Sequence, residues 1–110
     1  VRAIDADWKV LDVDPETATF PLAVRFEDEP IWVHRTPDGF RGVQETCPHE
    51  HRTLGTARIV GNGSMIRCGY HNYTFKLMNG AGVNCPGYRI AVYEIKEQNR
   101  TLLARRCPPP

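Results

Sequence analysis

The chain has 110 residues, of which 41% are hydrophobic and 25% charged, the balance of one ordinary globular domain rather than a disordered segment. A net charge of +1 excludes a nucleic-acid binder that works through a strong basic field. No apolar run approaches the ~18 residues of a membrane helix, and no basic segment followed by an apolar one opens the chain as a secretory signal.

Taken in chain order, the pattern reads strand, turn, strand, with little that reads as helix. Trp8 to Val13 alternates apolar and polar residues as a first strand, and Asp14-Pro15-Glu16 turns after it. Phe20 to Phe26 and Ile31 to Arg35 are rich in β-formers, with Glu27-Asp28-Glu29-Pro30 as the turn between them. Thr36-Pro37-Asp38-Gly39 is a strong turn signal, and Phe40 to Thr46 follows as another strand. Gly61-Asn62-Gly63 precedes a short hairpin strand from Ser64 to Arg67. Tyr88 to Lys96 alternates cleanly, Glu97-Gln98-Asn99-Arg100 turns, and Thr101 to Arg105 closes a last hairpin. The tail from Cys107 to Pro110 cannot extend a sheet and reads as a frayed end.

Many short strands joined by Gly/Pro turns predict an all-β fold, an antiparallel β-sandwich or barrel, in one domain over residues 1–110. Residues 46–87 are richer in Cys, His, Gly and Asn than their flanks and read as a small inserted subdomain. Trp8, Trp32 and the apolar strand residues are expected in the core, and His34, alternating with Trp32, is expected to be structural.

The strongest chemical feature is Cys47-Pro48-His49 followed, after residues 50–67, by Cys68-Gly69-Tyr70-His71. Two such pairs, one on each of two loops, bring four ligands together around a metal. Four cysteines are too few for a disulfide framework, and pairing two of them with histidines fits metal binding in a reducing, cytoplasmic setting. Structural zinc generally uses Cys-x₂₋₄-Cys or His-x₃₋₅-His pairs, which the single-residue gap before His49 fits poorly. His51 reads as a loop side chain, Cys85 as a small semi-buried thiol, and a Cys85–Cys107 bridge stays open at this level. There is no nucleophile–base–orienter set, phosphate loop or separate 2-His-1-carboxylate site.

The neighbouring residues make the stretch from about 20 to 105 resemble the Rieske family, whose pattern is Cys-x-His, a linker, then Cys-x-x-His. Leu54 matches an apolar position after the first pair, Phe75 the aromatic after the second His, and Gly80 the glycine closing the next turn. Cys85-Pro86-Gly87 is similar to the proline-containing third loop, and Tyr93 and Ile95 to the following strand. Departures are Asn72 where Gly is common, Lys76 where an acid is common, and the polar Glu50-His51-Arg52; they bear on the partner surface rather than on the cluster.

The resemblance implies a Rieske-like sandwich whose inserted cluster-binding subdomain holds one [2Fe–2S] cluster on Cys47, His49, Cys68 and His71. It implies that the cysteines hold one iron and the histidines the other. Two ferric ions, two sulfides and two thiolates sum to zero charge, so reduction is easier than with four thiolates. The family's high-potential members carry a loop-joining disulfide, a serine and a tyrosine; the matching positions here are Arg52 with Tyr70, Tyr73 and Phe75. Fewer donors to the cluster place the expected potential near the low end of the Rieske range, roughly −150 mV.

The function implied is a soluble Rieske ferredoxin, the electron-transfer component of a multicomponent dioxygenase system of aromatic hydrocarbon catabolism rather than an enzyme on its own. Its expected partners are a flavin-dependent ferredoxin reductase and a terminal oxygenase, docked weakly, with no nucleic acid and no membrane. Oxygenase α-subunits also begin with Rieske domains, but 110 residues leave no room for their catalytic domain. The alternative is the small subunit of an assimilatory nitrite reductase or a similar redox complex. Arg52, Arg67 and Lys76 near the loops are candidates for a basic docking patch.

Overall fold

The computed structural model describes residues 8–48, 52–69 and 72–108. His49, Glu50, His51, Tyr70 and His71 therefore lie outside the described residues. Among the described residues the regular structure is β, apart from one 3-10 turn, Leu54–Thr56. The strands are β1 (Lys9–Val10), β2 (Leu22–Phe26), β3 (Glu29–Thr36), β4 (Gly39–Gln44), β5 (Arg58–Val60), β6 (Met65–Arg67), β7 (Thr74–Lys76), β8 (Val92–Gln98) and β9 (Thr101–Arg106).

Two antiparallel sheets result. One has six strands in the order β1-β9-β8-β4-β3-β2, and the other is β5-β6-β7, inserted in the chain between β4 and β8. The predicted all-β antiparallel fold is the fold observed. The large sheet curls on itself: Phe26 of β2 meets Tyr93 of β8 at 5.0 Å between ring centroids, across two intervening strands. Its two edges also approach, since Lys9 of β1 lies 3.4 Å from Glu27 just after β2. Phe26, Ile31, Val33, Tyr93, Leu102 and Ala104 fill the space enclosed by this curl.

Turn chemistry sets the register. Glu27-Asp28 and Asn99-Arg100 are two-residue turns with positive φ at both positions, the hairpin geometry that matches strand twist. Both turns are tighter than the four-residue turns expected, because Glu29, Pro30, Glu97 and Gln98 join the ladders. The expected strand from Trp8 to Val13 is interrupted at Asp12, whose φ is +59°. The pairing survives the interruption, with Leu102 O accepting from Leu11 N at 2.9 Å and Leu102 N donating to Val13 O at 3.0 Å.

Two further expectations are corrected, for Trp8 and Cys107. Trp8 is not core but half-buried on the surface, its ring between Lys96 Nζ (4.3 Å) and the Arg105 guanidinium (4.6 Å). Trp32, as expected, packs on the core, half-buried against Gly55, where an added Cβ would sit 2.5 Å from the ring. Cys107 is not part of a frayed end: it is buried, and its N–H donates to Val92 O at 3.0 Å. His34 is structural, as expected. Its Nε2 lies 2.9 Å from Leu54 O, tying β3 to the 3-10 turn, and burial lowers its pKa, partly offset by that carbonyl.

Candidate metal centre

A second core, between the two sheets, contains Val43, Leu54, Ile66, Phe75, Leu77 and Val92 together with all four cysteines. Cys47 and Cys68 are fully buried, and no disulfide joins any of the four. Each of the two opens a finger of the same construction. In the first, Leu54 N donates to Glu45 O, Thr46 bridges Thr53, and Cys47 N donates to Arg52 O at 2.7 Å. In the second, Arg67 pairs with Thr74 and Cys68 N donates to Tyr73 O at 2.7 Å. Each cysteine thus closes a hairpin on the residue five positions on, leaving a four-residue tip. His49 and His71 belong to those tips by sequence, and both lie outside the described residues.

Two bases hold the fingers. Gln44 Nε2 donates to Thr46 O at 2.6 Å, while its Oε1 accepts from Ala91 N at 2.7 Å, fastening the first finger to the segment entering β8. The second is fastened by the segment Gly82 to Tyr88. Val83 N donates to Thr74 O at 2.8 Å, and the Cys85 thiol points at the same carbonyl from 3.7 Å. Asn84 spans both sides of the finger's exit: its Oδ1 accepts from Thr74 N and its Nδ2 donates to Asn72 O, each at 3.0 Å. Asn72 adopts φ +57°, which explains an Asn where Gly is common, since Asn tolerates the left-handed region.

The remaining motif residues fall where their chemistry requires. Leu54 and Phe75 are fully buried beside the two cysteines. Gly80 has φ +85°, and a Cβ there would stand 1.9 Å from Ile90 O, so only glycine fits. Tyr73 packs on the core and against Tyr88, 5.8 Å between ring centroids. Gln44, Thr74 and Asn84 were not singled out from sequence; a lone Asn or Gln in a loop carries no periodic signal.

The donor set suits an iron–sulfur group. Two thiols in an apolar pocket, each at the base of a hairpin whose tip carries a histidine in sequence, fit a Cys₂His₂ diiron cluster. Among the described residues no group of three His, Cys, Asp or Glu gathers as a metal site, and none of the helices found there is long and apolar enough to cross a membrane.

The sequence profile of the Rieske [2Fe-2S] domain matches residues 7–107. No curated protein sequence matches the chain. Among solved structures, the terminal oxygenase of carbazole 1,9a-dioxygenase from Nocardioides aromaticivorans IC177 is similar with a TM-score of 0.68 at 19% identity. That match covers 90% of this chain and 30% of the oxygenase. An oxygenase–ferredoxin complex of carbazole 1,9a-dioxygenase is similar with a TM-score of 0.67 at 19% identity, over 94% of this chain and 30% of that one. The small subunit of a putative NADPH nitrite reductase gives a TM-score of 0.74 at 16% identity, covering 88% of this chain and 96% of the subunit. The chain therefore spans about a third of the length of the oxygenases it resembles, and identities this low establish the fold alone.

Proposed function

The chain belongs to the Rieske [2Fe–2S] domain family, which binds a [2Fe–2S] cluster, and on that premise we propose that it is a cytoplasmic Rieske ferredoxin. It carries single electrons from a flavin-dependent reductase to a terminal oxygenase, with residues 46–87 as its cluster-binding subdomain. Cys47 and Cys68 are the thiolate ligands, and His49 and His71 the imidazole ligands. The observation that carries this reading is the pair of like-built fingers, each with a fully buried cysteine at its base, in a chain matched to the family over residues 7–107. When bound, the cluster supplies a reversible one-electron store.

The residues of the chain do the rest. Leu54 and Phe75 keep water from the thiolates, Gln44 fixes the first finger, and Asn84 with Thr74 fixes the second. Holding both fingers through backbone hydrogen bonds keeps the surroundings alike before and after electron transfer, which lowers the cost of reorganisation. Four cysteines without a disulfide support a reducing compartment.

An oxygenase partner is supported by the similarity to structures from carbazole dioxygenase. A second reading, the small subunit of a nitrite reductase or similar complex, is favoured by a neighbour matched over 96% of its own length. The test is EPR of dithionite-reduced protein with iron and acid-labile sulfide analysis, followed by electron transfer to an oxygenase and to a nitrite reductase large subunit. A Rieske-type signal with two irons and two sulfides per chain is expected. Protein that stays colourless and iron-free after reconstitution refutes the reading.

A further inference from the structure

We propose that the outer face of the three-stranded sheet, carrying Arg58, Arg67 and Lys76, is the docking surface for an acidic protein partner. Strand register makes the face. Ile59, Ile66 and Phe75 form the middle row and pack inward, so the flanking rows, Arg58–Arg67–Thr74 and Val60–Met65–Lys76, lie on the other face, where Thr74 is buried and its Oγ1 accepts from Arg67 Nε at 3.3 Å. Arg58, Arg67 and Lys76 are exposed, with Val60 and Met65 half-buried between them.

Arg58 and Arg67 stand directly opposite each other on adjacent strands, an arrangement that costs stability through like-charge repulsion. Among the described residues no carboxylate pairs with either of them. Elsewhere three cations of the large sheet and its last turn have acids beside them: Lys9 with Glu27, Arg100 with Asp14, and Arg105 with Glu94. Among the described residues, no ion pair involves Arg58, Arg67 or Lys76.

The charge separation extends over the whole insertion. Residues 45–91 hold five Lys or Arg against two Asp or Glu, a net of +3. The whole chain is +1, so the remainder carries −2. The insertion is therefore the basic part of the chain, and on its sheet Arg67 immediately precedes Cys68.

Protein is the chemistry that fits. A nucleic acid or an anionic membrane rewards many cations over a long track, whereas here three cations and two apolar side chains share one small sheet on a chain whose other part is acidic. Mixed cationic and apolar contacts suit a small, reversible interface with clustered carboxylates.

This rests on the electron-carrier reading, and two measurements separate the fates of the two. First, NMR shift perturbation of the oxidised protein is read with poly-L-glutamate, oligothymidylate and phosphatidylglycerol vesicles as probes. Salt-sensitive shifts at 58, 67 and 76, with poly-L-glutamate bound more tightly than the other two, are expected. Absence of those shifts, or tighter binding of oligothymidylate or vesicles, overturns the proposal whether or not a cluster is present.

Second, the reduced protein is oxidised by ferricyanide, one electron passing to give ferrocyanide, and separately by cationic tris(phenanthroline)cobalt(III), one electron giving cobalt(II). In the Arg58→Glu/Arg67→Glu/Lys76→Glu variant, the ferricyanide rate at low salt should fall at least about tenfold while the cobalt rate rises. The difference should fade at 1 M salt, where the screening length is about 3 Å. Equal rates for variant and wild type overturn the placement of this face at the electron's exit. Absence of a cluster from both proteins counts against the carrier reading alone and leaves the binding result standing.

Discussion

Asn84→Ala tests how the second finger is held. Asn84 makes two hydrogen bonds of 3.0 Å, one from Thr74 N and one to Asn72 O, on either side of the strand leaving the second finger. Thr74 is 3% exposed, so truncation strands a backbone N–H where water does not reach, which costs about 1–3 kcal/mol. The second bond is at an exposed position where water substitutes, and its loss costs about 0.5 kcal/mol. Val83 N and the Cys85 thiol still engage Thr74 O, so the loop stays attached and the total falls near 2–3 kcal/mol. Asn84→Asp keeps the acceptor for Thr74 N but turns an acceptor toward Asn72 O, and should lose about 1 kcal/mol. The assays are urea unfolding and the rate of iron loss to a chelator, since looseness at 72–74 would free the residue proposed as a ligand just before it. If Asn84→Ala unfolds within 0.5 kcal/mol of wild type and releases iron at the same rate, the clamp is not what holds this finger.

Gly80→Ala should lose at least about 3 kcal/mol, combining a left-handed φ with a clash that separates Gly80 from Ile90, whereas Gly69→Ala, with nothing within 4 Å, should stay within about 1 kcal/mol; thermal melts of both compare them. His34 has a lowered folded-state pKa, so the unfolded chain binds its proton more readily and the stability this residue contributes is present above about pH 6.5 and lost as pH falls below it. Unfolding free energies of wild type and His34→Gln from pH 7.5 to 4.5 should converge toward acid pH, and parallel curves would contradict the burial argument. A redox titration should give a midpoint near the low end of the Rieske range, roughly −150 mV, because Phe75 offers no hydroxyl where the high-potential members carry a tyrosine; a clearly positive midpoint would contradict it.

Turn chemistry was the most legible part of the fold. Asp14-Pro15, Pro37-Asp38-Gly39 and Gly61-Asn62-Gly63 all mark observed turns. The strands of the small sheet were harder. Arg58–Val60 and Thr74–Lys76 went unrecognised, because three residues are too few to display an alternation and both flank the Cys/His segments. Trp8 misled for a different reason: a large ring signals burial, but two cations from β8 and β9 cover its faces at the surface instead. Gly80 and Asn72 show the opposite case, where a single residue type carried backbone information that φ values of +85° and +57° make explicit.

The spacing singles out Cys47 and Cys68, but it does not show the likeness of their surroundings. Cys-x-His and Cys-x-x-His differ by one residue in sequence, yet both cysteines donate their N–H to the carbonyl five residues on at the same 2.7 Å. Each hairpin therefore leaves four residues between cysteine and closing carbonyl. The one-residue difference lies only in where the histidine falls in that stretch of sequence, and the two thiols share one core cluster. Docking charge shows the same limit. Arg67 and Lys76 stood out as basic residues near a loop, but register alone sets Arg58 against Arg67. A like-charge pair with no carboxylate partner among the described residues works against folding, so the repulsion finds its natural relief in carboxylates brought by another protein.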